Sequence, residues 1–191
     1  MASELPRTTG RRTRAGVKRI VLIGSESTGK STLARRLAEH YGVEWVPEFV
    51  REYADSKDGG LEFSDHGPIA RGQMAREDEY ITRATARNAS LLIQDTDLLS
   101  TAVYCAHYYG QCPQWLQDAA RTRRPDLYLL LDIDLLWVPD AQRDRGHMRS
   151  EIQQLFRDAV VRSGVPFVVV SGDAEQRFTM ARSSIENLLK I

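Results

Sequence analysis

No uninterrupted apolar run in this 191-residue chain approaches the ~20 residues a membrane-spanning helix needs. A signal-peptide core is missing as well, since the first apolar run of any length begins at Ile20. Neither sign of charge is in excess. The 26 basic and 26 acidic side chains cancel, which removes any global electrostatic argument for nucleic acid or an anionic membrane as partner. Cysteine is scarce, with only Cys105 and Cys112, flanking His107. A zinc site wants four ligands at tighter spacing and a disulfide wants an oxidising compartment, so both read as free or packed thiols. These absences leave a soluble, cytoplasmic chain long enough for one α/β domain, and oligomeric state stays open.

What is present is organised around Gly24-Ser25-Glu26-Ser27-Thr28-Gly29-Lys30-Ser31, followed by Thr32 and Leu33. The spacing, glycine, four residues, then Gly-Lys-Ser, is that of a phosphate-binding loop. Such a loop turns its backbone N–H groups around a nucleotide's phosphates, and glycine permits both the curvature and the close approach. Lys30 then reaches the outer phosphates, and the Ser31 hydroxyl takes a place on Mg²⁺. Context supports the motif. Lys18–Ile23 is a short β-branched run entering the loop, and Leu33, Ala34, Leu37, Ala38 and Tyr41 follow at helical spacing. A nucleoside triphosphate, ATP or GTP, and Mg²⁺ are the ligands expected of such a loop. Gly24, Ser27, Thr28, Gly29, Lys30, Ser31 and Thr32 are the candidate nucleotide contacts.

Along the rest of the chain, residues 1–16 form a polar, Arg-bearing tail, expected to be disordered, and 17–191 form the domain. Val43–Pro47 reads as a second strand, ended by Pro47, with Glu48, Phe49, Arg51, Glu52 and Tyr53 in the loop beyond. Carboxyl ends of strands form the ligand crevice of open parallel sheets, so Glu48 falls near the outer phosphate if this strand neighbours the first. The stretch 57–67 reads as a mobile loop and 68–88 as a helix, on which Gln73 and Arg76 face either ligand or solvent. Ser90–Asp95 is a third strand ending in an acid. Asp95 there holds the metal directly or through water, with Asp97 as a second candidate. Helices containing Tyr104 and Trp115, a strand at 126–132, a helix from Ile152, a strand at 165–170 and a closing helix complete the pattern. Five strands alternating with helices predict a three-layer α/β sandwich: a mainly parallel sheet with helices on both faces. The polar segment at about 138–150, carrying Arg143, Arg145 and Arg149, reads as a lid that brings positive charge to the phosphates.

Four stretches together resemble the ribosylnicotinamide kinase domain of the bifunctional NadR family. They are Gly24–Leu33, Val46-Pro47-Glu48-Phe49-Val50-Arg51-Glu52-Tyr53, Asp95-Thr96-Asp97, and Trp137-Val138-Pro139-Asp140 with Arg143. The resemblance implies a P-loop nucleoside-kinase fold and transfer of phosphate from ATP·Mg²⁺ to the 5′-hydroxyl of nicotinamide riboside, giving nicotinamide mononucleotide. It implies that Glu48 handles the substrate hydroxyl and that Arg143 matches a lid arginine. Ala141 departs from the glycine expected in that lid. The length leaves no room for the family's adenylyltransferase domain or DNA-binding region, so neither activity is expected.

A cationic nicotinamide ring favours aromatic faces and carboxylates, which points to Trp45, Phe49, Tyr53, Glu52, Asp55 and Trp115; Arg51 and Asp97 are further candidate substrate contacts. Neutral bases also stack on aromatics, so another nucleoside remains an alternative. So does a nucleotide-sensing P-loop module without an acceptor, while an RNA-binding NTPase rests on Arg7–Arg14 alone.

Overall fold

The computed structural model describes residues 16–136 and 148–190. The segments expected to be the N-terminal tail and most of the lid, including Arg143 and Arg145, lie outside the described residues.

The five strands are β1 (Lys18–Ile23), β2 (Trp45–Val46), β3 (Leu91–Asp95), β4 (Leu127–Leu131) and β5 (Phe167–Val170). All pair in parallel, in the order β2-β3-β1-β4-β5. The apolar runs read from sequence are therefore buried on both faces, as the helix-covered layers of a parallel sheet require. Their alternation divides the core. Ile20, Leu22, Leu91, Ile93, Leu127 and Leu129 pack with α1 (Lys30–Tyr41) and α7 (Ala174–Leu189) on one face. On the other face, Val21, Ile23, Tyr128 and Leu130 meet α4 (Leu98–Tyr109) and α6 (Arg149–Ser163). A third cluster joins α4 to α3 (His66–Ala86) and α5 (Gln114–Thr122) through Ala70, Leu98, Cys105 and Leu116.

Two local expectations are corrected. β2 is only Trp45–Val46 and pairs with β3, so it does not neighbour β1. Residues after Pro47 are not a loop: Phe49–Asp55 form α2, a seven-residue helix with Glu48 as its N-terminal boundary. The polar connection that follows contains a 3₁₀ turn at Phe63–Asp65 and is tied down. Asp65 accepts from Lys57 Nζ at 2.5 Å, from Tyr53 Oη at 2.8 Å and from the Glu62 amide at 2.6 Å.

Candidate active site

The carboxyl ends of β1, β2 and β3 open onto one cavity of about 770 Å³. Its donor side is the phosphate loop, Ser27 to Thr32, and its far side is Trp45, Pro47, Glu48 and the α2 residues Arg51, Glu52 and Asp55, with Arg76 from α3. Asp95 lies between them at the end of β3.

The loop's geometry follows from its residues. Gly24 sits at φ 138°, and a Cβ there would fall 2.7 Å from the Leu131 carbonyl oxygen, so only glycine fits. Gly29, at φ 81°, begins α1, and no side chain caps that helix. Its first amides and the positive end of its dipole thus meet the cavity, as an anion site requires. The loop's carbonyls are drawn the other way by side chains from the second half of the chain. Arg149 donates to the Glu26 and Ser27 carbonyls at 3.2 and 3.1 Å, and Arg177 to that of Thr28 at 2.7 Å. Gln153 accepts from the Ser25 amide at 3.1 Å and donates to the Leu131 carbonyl at 2.9 Å. Lys30 Nζ is folded onto the Gly24 and Ser25 carbonyls at 3.0 and 2.8 Å. Burial pushes the Lys30 ammonium below its usual value, with the Glu48 and Asp95 charges opposing.

Glu48 does not cap its own helix. Its carboxylate pairs with Arg51 Nε at 3.2 Å and lines the cavity. Burial first, and then the charge of Asp95, raise it above the ordinary carboxylate range, against Lys30 and Arg51. Asp95 is buried, and its Oδ1 has no hydrogen-bond partner among the described residues. An orphaned carboxylate oxygen lining the same cavity as Ser31 fits Mg²⁺, which takes one or two protein ligands and completes its shell with water and phosphates. No cluster of three or more His, Cys, Asp or Glu side chains suited to a metal occurs among the described residues.

Of the candidate site residues, Lys30, Glu48, Asp95, Ser27, Thr28, Gly29, Ser31, Thr32, Trp45 and Arg51 line this one cavity. Four substrate candidates do not line the cavity. Phe49 lies against Gly72 of α3, where a Cβ would overlap its ring, and is covered by Arg76 at 4.8 Å. Tyr53 directs its hydroxyl to Asp65. Trp115 sits on α5, 42% exposed, with Arg71 at 6.0 Å from its ring. Asp97 is turned away by Thr96, a β-branched residue held at φ 72°. That turn ends β3 and makes Asp97 the cap of α4, accepting from the Leu99 amide at 3.0 Å and from Tyr128 Oη at 2.7 Å. Arg149 likewise holds loop carbonyls rather than standing over the phosphate side.

Sequence reasoning missed Gln153 and Arg177. Each occupies a buried position on the apolar stripe of its helix, Gln153 beside Ile152 and Phe156, Arg177 in register with Ala181 and Ile185. A polar residue on a core stripe needs a buried partner, and that was the available signal.

The AAA domain family matches residues 19–177. The trifunctional NAD biosynthesis/regulator protein NadR of Escherichia coli (strain K12) is 32% identical over 169 residues, 85% of this chain and 40% of that protein. Its Salmonella typhimurium counterpart is 29% identical, over 91% of this chain and 43% of that protein. The chain therefore spans well under half the length of these relatives. Among solved structures, NadR protein in complex with NR superposes with a TM-score of 0.74 at 22% identity, covering 93% of this chain and 53% of that one. A NadR complex with NAD and AMP-PNP gives a TM-score of 0.75 at 21% identity, covering 93% and 51%. Thymidylate kinase from Ehrlichia chaffeensis gives 0.66 at 18%, covering 91% and 99%. The parallel-sheet P-loop fold is common to all of them, and the resemblance to NadR read from the motifs holds over most of the chain.

Proposed function

This chain belongs to the AAA domain family, and from that premise we propose that it is an ATP-dependent small-molecule kinase. Its acceptor on this reading is nicotinamide riboside, phosphorylated at the 5′-hydroxyl to nicotinamide mononucleotide. The observation that carries the proposal is the two-sided cavity. A phosphate cradle with Lys30 faces a carboxylate, Glu48, on a helix that walls a second compartment, and a nucleotide switch has no need of that compartment.

The charges of the acceptor side argue for a hydroxyl-bearing nucleoside rather than a nucleotide. Arg51 is paired with Glu48 and Arg76 with Glu52, while Asp55 adds a further negative charge. A phosphate arriving there meets carboxylates already holding both arginines; a cationic ring meets Trp45 and acids. The known NadR complexes with NR, and with NAD and AMP-PNP, support the same choice.

In the reaction, the acceptor oxygen attacks the γ-phosphorus in line, the bond from γ-phosphorus to the β–γ bridging oxygen breaks, and ADP leaves. Glu48 orients the hydroxyl and takes its proton as the new O–P bond forms. Lys30 leaves the loop carbonyls for the phosphates and offsets their negative charge in a loose transition state. Bound Mg²⁺, held by Ser31 and Asp95, would neutralise further charge on the phosphates.

The test is ADP release with Mg²⁺·ATP alone and with nicotinamide riboside, adenosine, thymidine and thymidine monophosphate, with product mass read for each. Stimulation by nicotinamide riboside with a monophosphate product is expected. Stimulation by another nucleoside alone would move the assignment to that acceptor. Hydrolysis indifferent to every acceptor would turn it toward a nucleotide-sensing module.

A further inference from the structure

Gln73, on α3, was read from sequence as facing ligand or solvent, and it faces neither. It is 2% exposed and bonded at both ends of its amide. Oε1 accepts from the Phe49 backbone amide at 3.0 Å, and Nε2 donates to Glu77 Oε1 at 3.3 Å, one helical turn along. Glu77, fully buried, is held in turn by two guanidinium groups from other elements. Arg19 of β1 reaches its Oε2 at 3.3 Å, and Arg123, just past α5, reaches the same oxygen at 3.2 Å. Arg19 also donates to Gln94 of β3 at 3.0 Å and to the Arg123 carbonyl at 2.9 Å. The central strands thus anchor a buried polar chain that ends on the first amide of α2.

α2 needs such an anchor. None of its seven residues is fully buried, and its ties to α3 are the Phe49 ring on Gly72 and the Arg76–Glu52 pair, neither of which holds the first amide. Its first amide has no partner within the helix and receives none from the Glu48 side chain. Gln73 satisfies it from the neighbouring helix. The amide cannot turn over, because Nε2 would then face the Phe49 N–H and Oε1 would face a carboxylate.

We infer that Gln73 is a positioning residue for Glu48, fixing the start of α2 so that the Glu48 carboxylate stands in the cavity facing Lys30, with Glu77 locking the Gln73 amide in the required orientation. The inference rests on the kinase reading for its catalytic consequence but not for its geometry. A displacement of about 1 Å at a reacting group can cost ~10²-fold in rate. Gln73 acts one residue away from that group, through the backbone, so a smaller loss is expected.

The experiment uses the full chain with Gln73→Met, which keeps volume and removes the acceptor, and with the paired exchange Gln73→Glu/Glu77→Gln. The exchange preserves net charge, an acceptor for Phe49 N–H and a donor between the two side chains. In Gln73→Met, kcat for acceptor phosphorylation per folded molecule should fall about tenfold. ATP affinity should stay within about twofold, and the exchange should recover most of kcat. Unchanged kcat, equal loss of ATP binding, or no recovery in the exchange each overturn the inference. A second readout is independent of turnover: the Phe49 amide should lose hydrogen-exchange protection and the Glu48 titration followed by NMR should shift in Gln73→Met. If the wild type phosphorylates no acceptor, the kinase reading fails by itself. An unmoved Glu48 titration would then still overturn the positioning role, and a moved one would uphold it.

Discussion

Arg177 donates from Nη1 to the carbonyl of Thr28 at 2.7 Å, tying the first turn of α7 to the phosphate loop. The same guanidinium reaches the Asp132 carbonyl beyond β4 at 3.0 Å and the Gly172 carbonyl beyond β5 at 2.8 Å, and it pairs with Asp134. One buried cation therefore holds three strand-end connections in register around the nucleotide side of the cavity.

Replacing Arg177 with Met should strip the Thr28, Asp132 and Gly172 carbonyls of their donor, at about 1–3 kcal/mol for the buried Thr28 group and less for the two part-buried ones. A lower thermal midpoint is expected, together with a several-fold rise in KM for ATP, while KM for the acceptor changes little. Lysine cannot restore the fork geometry and should recover only part of the loss. Steady-state kinetics on the folded fraction check this. An unaltered KM for ATP would confine Arg177 to stability.

The strands, their parallel pairing and the donor half of the site were legible because each is encoded locally. The Lys18–Ile23 run, the Gly24–Ser31 spacing and the apolar repeat after it are contiguous patterns, and the structure reproduces them. The acceptor half was less legible, because it depends on where side chains point after α2 packs on α3. Nothing near Phe49 in sequence says that Gly72 opens a place for its ring. Nothing near Asp97 says that Thr96 adopts a left-handed turn, which separates two acids that spacing alone makes equivalent. Arg177 and Gln153 lie more than a hundred residues from the loop they brace, and only their places on apolar stripes betray them.

Lys30 supplies the one ammonium at the phosphate loop, now folded on its own carbonyls. Lys30→Ala should reduce turnover by about two orders of magnitude or more, as loss of a preorganised electrostatic donor does. The fold should survive, since Lys30 is the first residue of α1 and lies outside the apolar clusters. Near-normal turnover in a folded variant would remove the loop from the transfer step.

Glu77 predicts a pH signature in stability. Burial pushes its carboxyl up to about 7, against the opposing charges of Arg19 and Arg123. In the unfolded chain it ionises near ~4.3. Between those values the folded state holds the proton and the unfolded state does not, so this group's contribution is fully present below ~4.3 and is lost as pH rises through about 7. Glu77→Gln cannot ionise. The thermal midpoint of the wild type should therefore decline relative to Glu77→Gln between pH 5 and pH 8. Parallel midpoints across that range would show that Glu77 does not titrate there.

Glu48 separates a kinase from a nucleotide switch, and its environment makes the prediction specific. Its carboxyl is raised above the ordinary range by burial, then by the charge of Asp95, with Lys30 and Arg51 opposing. A base must be ionised to accept the acceptor's proton, so kcat/KM for the acceptor should climb with pH along a limb displaced above the usual carboxylate value. Glu48→Gln keeps size and hydrogen bonding while removing both the charge and the titration. It should lower kcat for nucleoside phosphorylation by ~10²-fold, the lower end of what general acid–base groups contribute, because a loose transition state demands little deprotonation before attack. The acidic limb should disappear, and ATP affinity should hardly change. The competing role is structural, with the Glu48–Arg51 pair at 3.2 Å only stiffening the first turn of α2. In that case the variant would melt earlier, yet each folded molecule would turn over normally and keep the wild-type pH limb. Measuring kcat per folded molecule across pH, beside ATP binding, decides between them, and a retained limb with unchanged kcat would take Glu48 out of the chemistry.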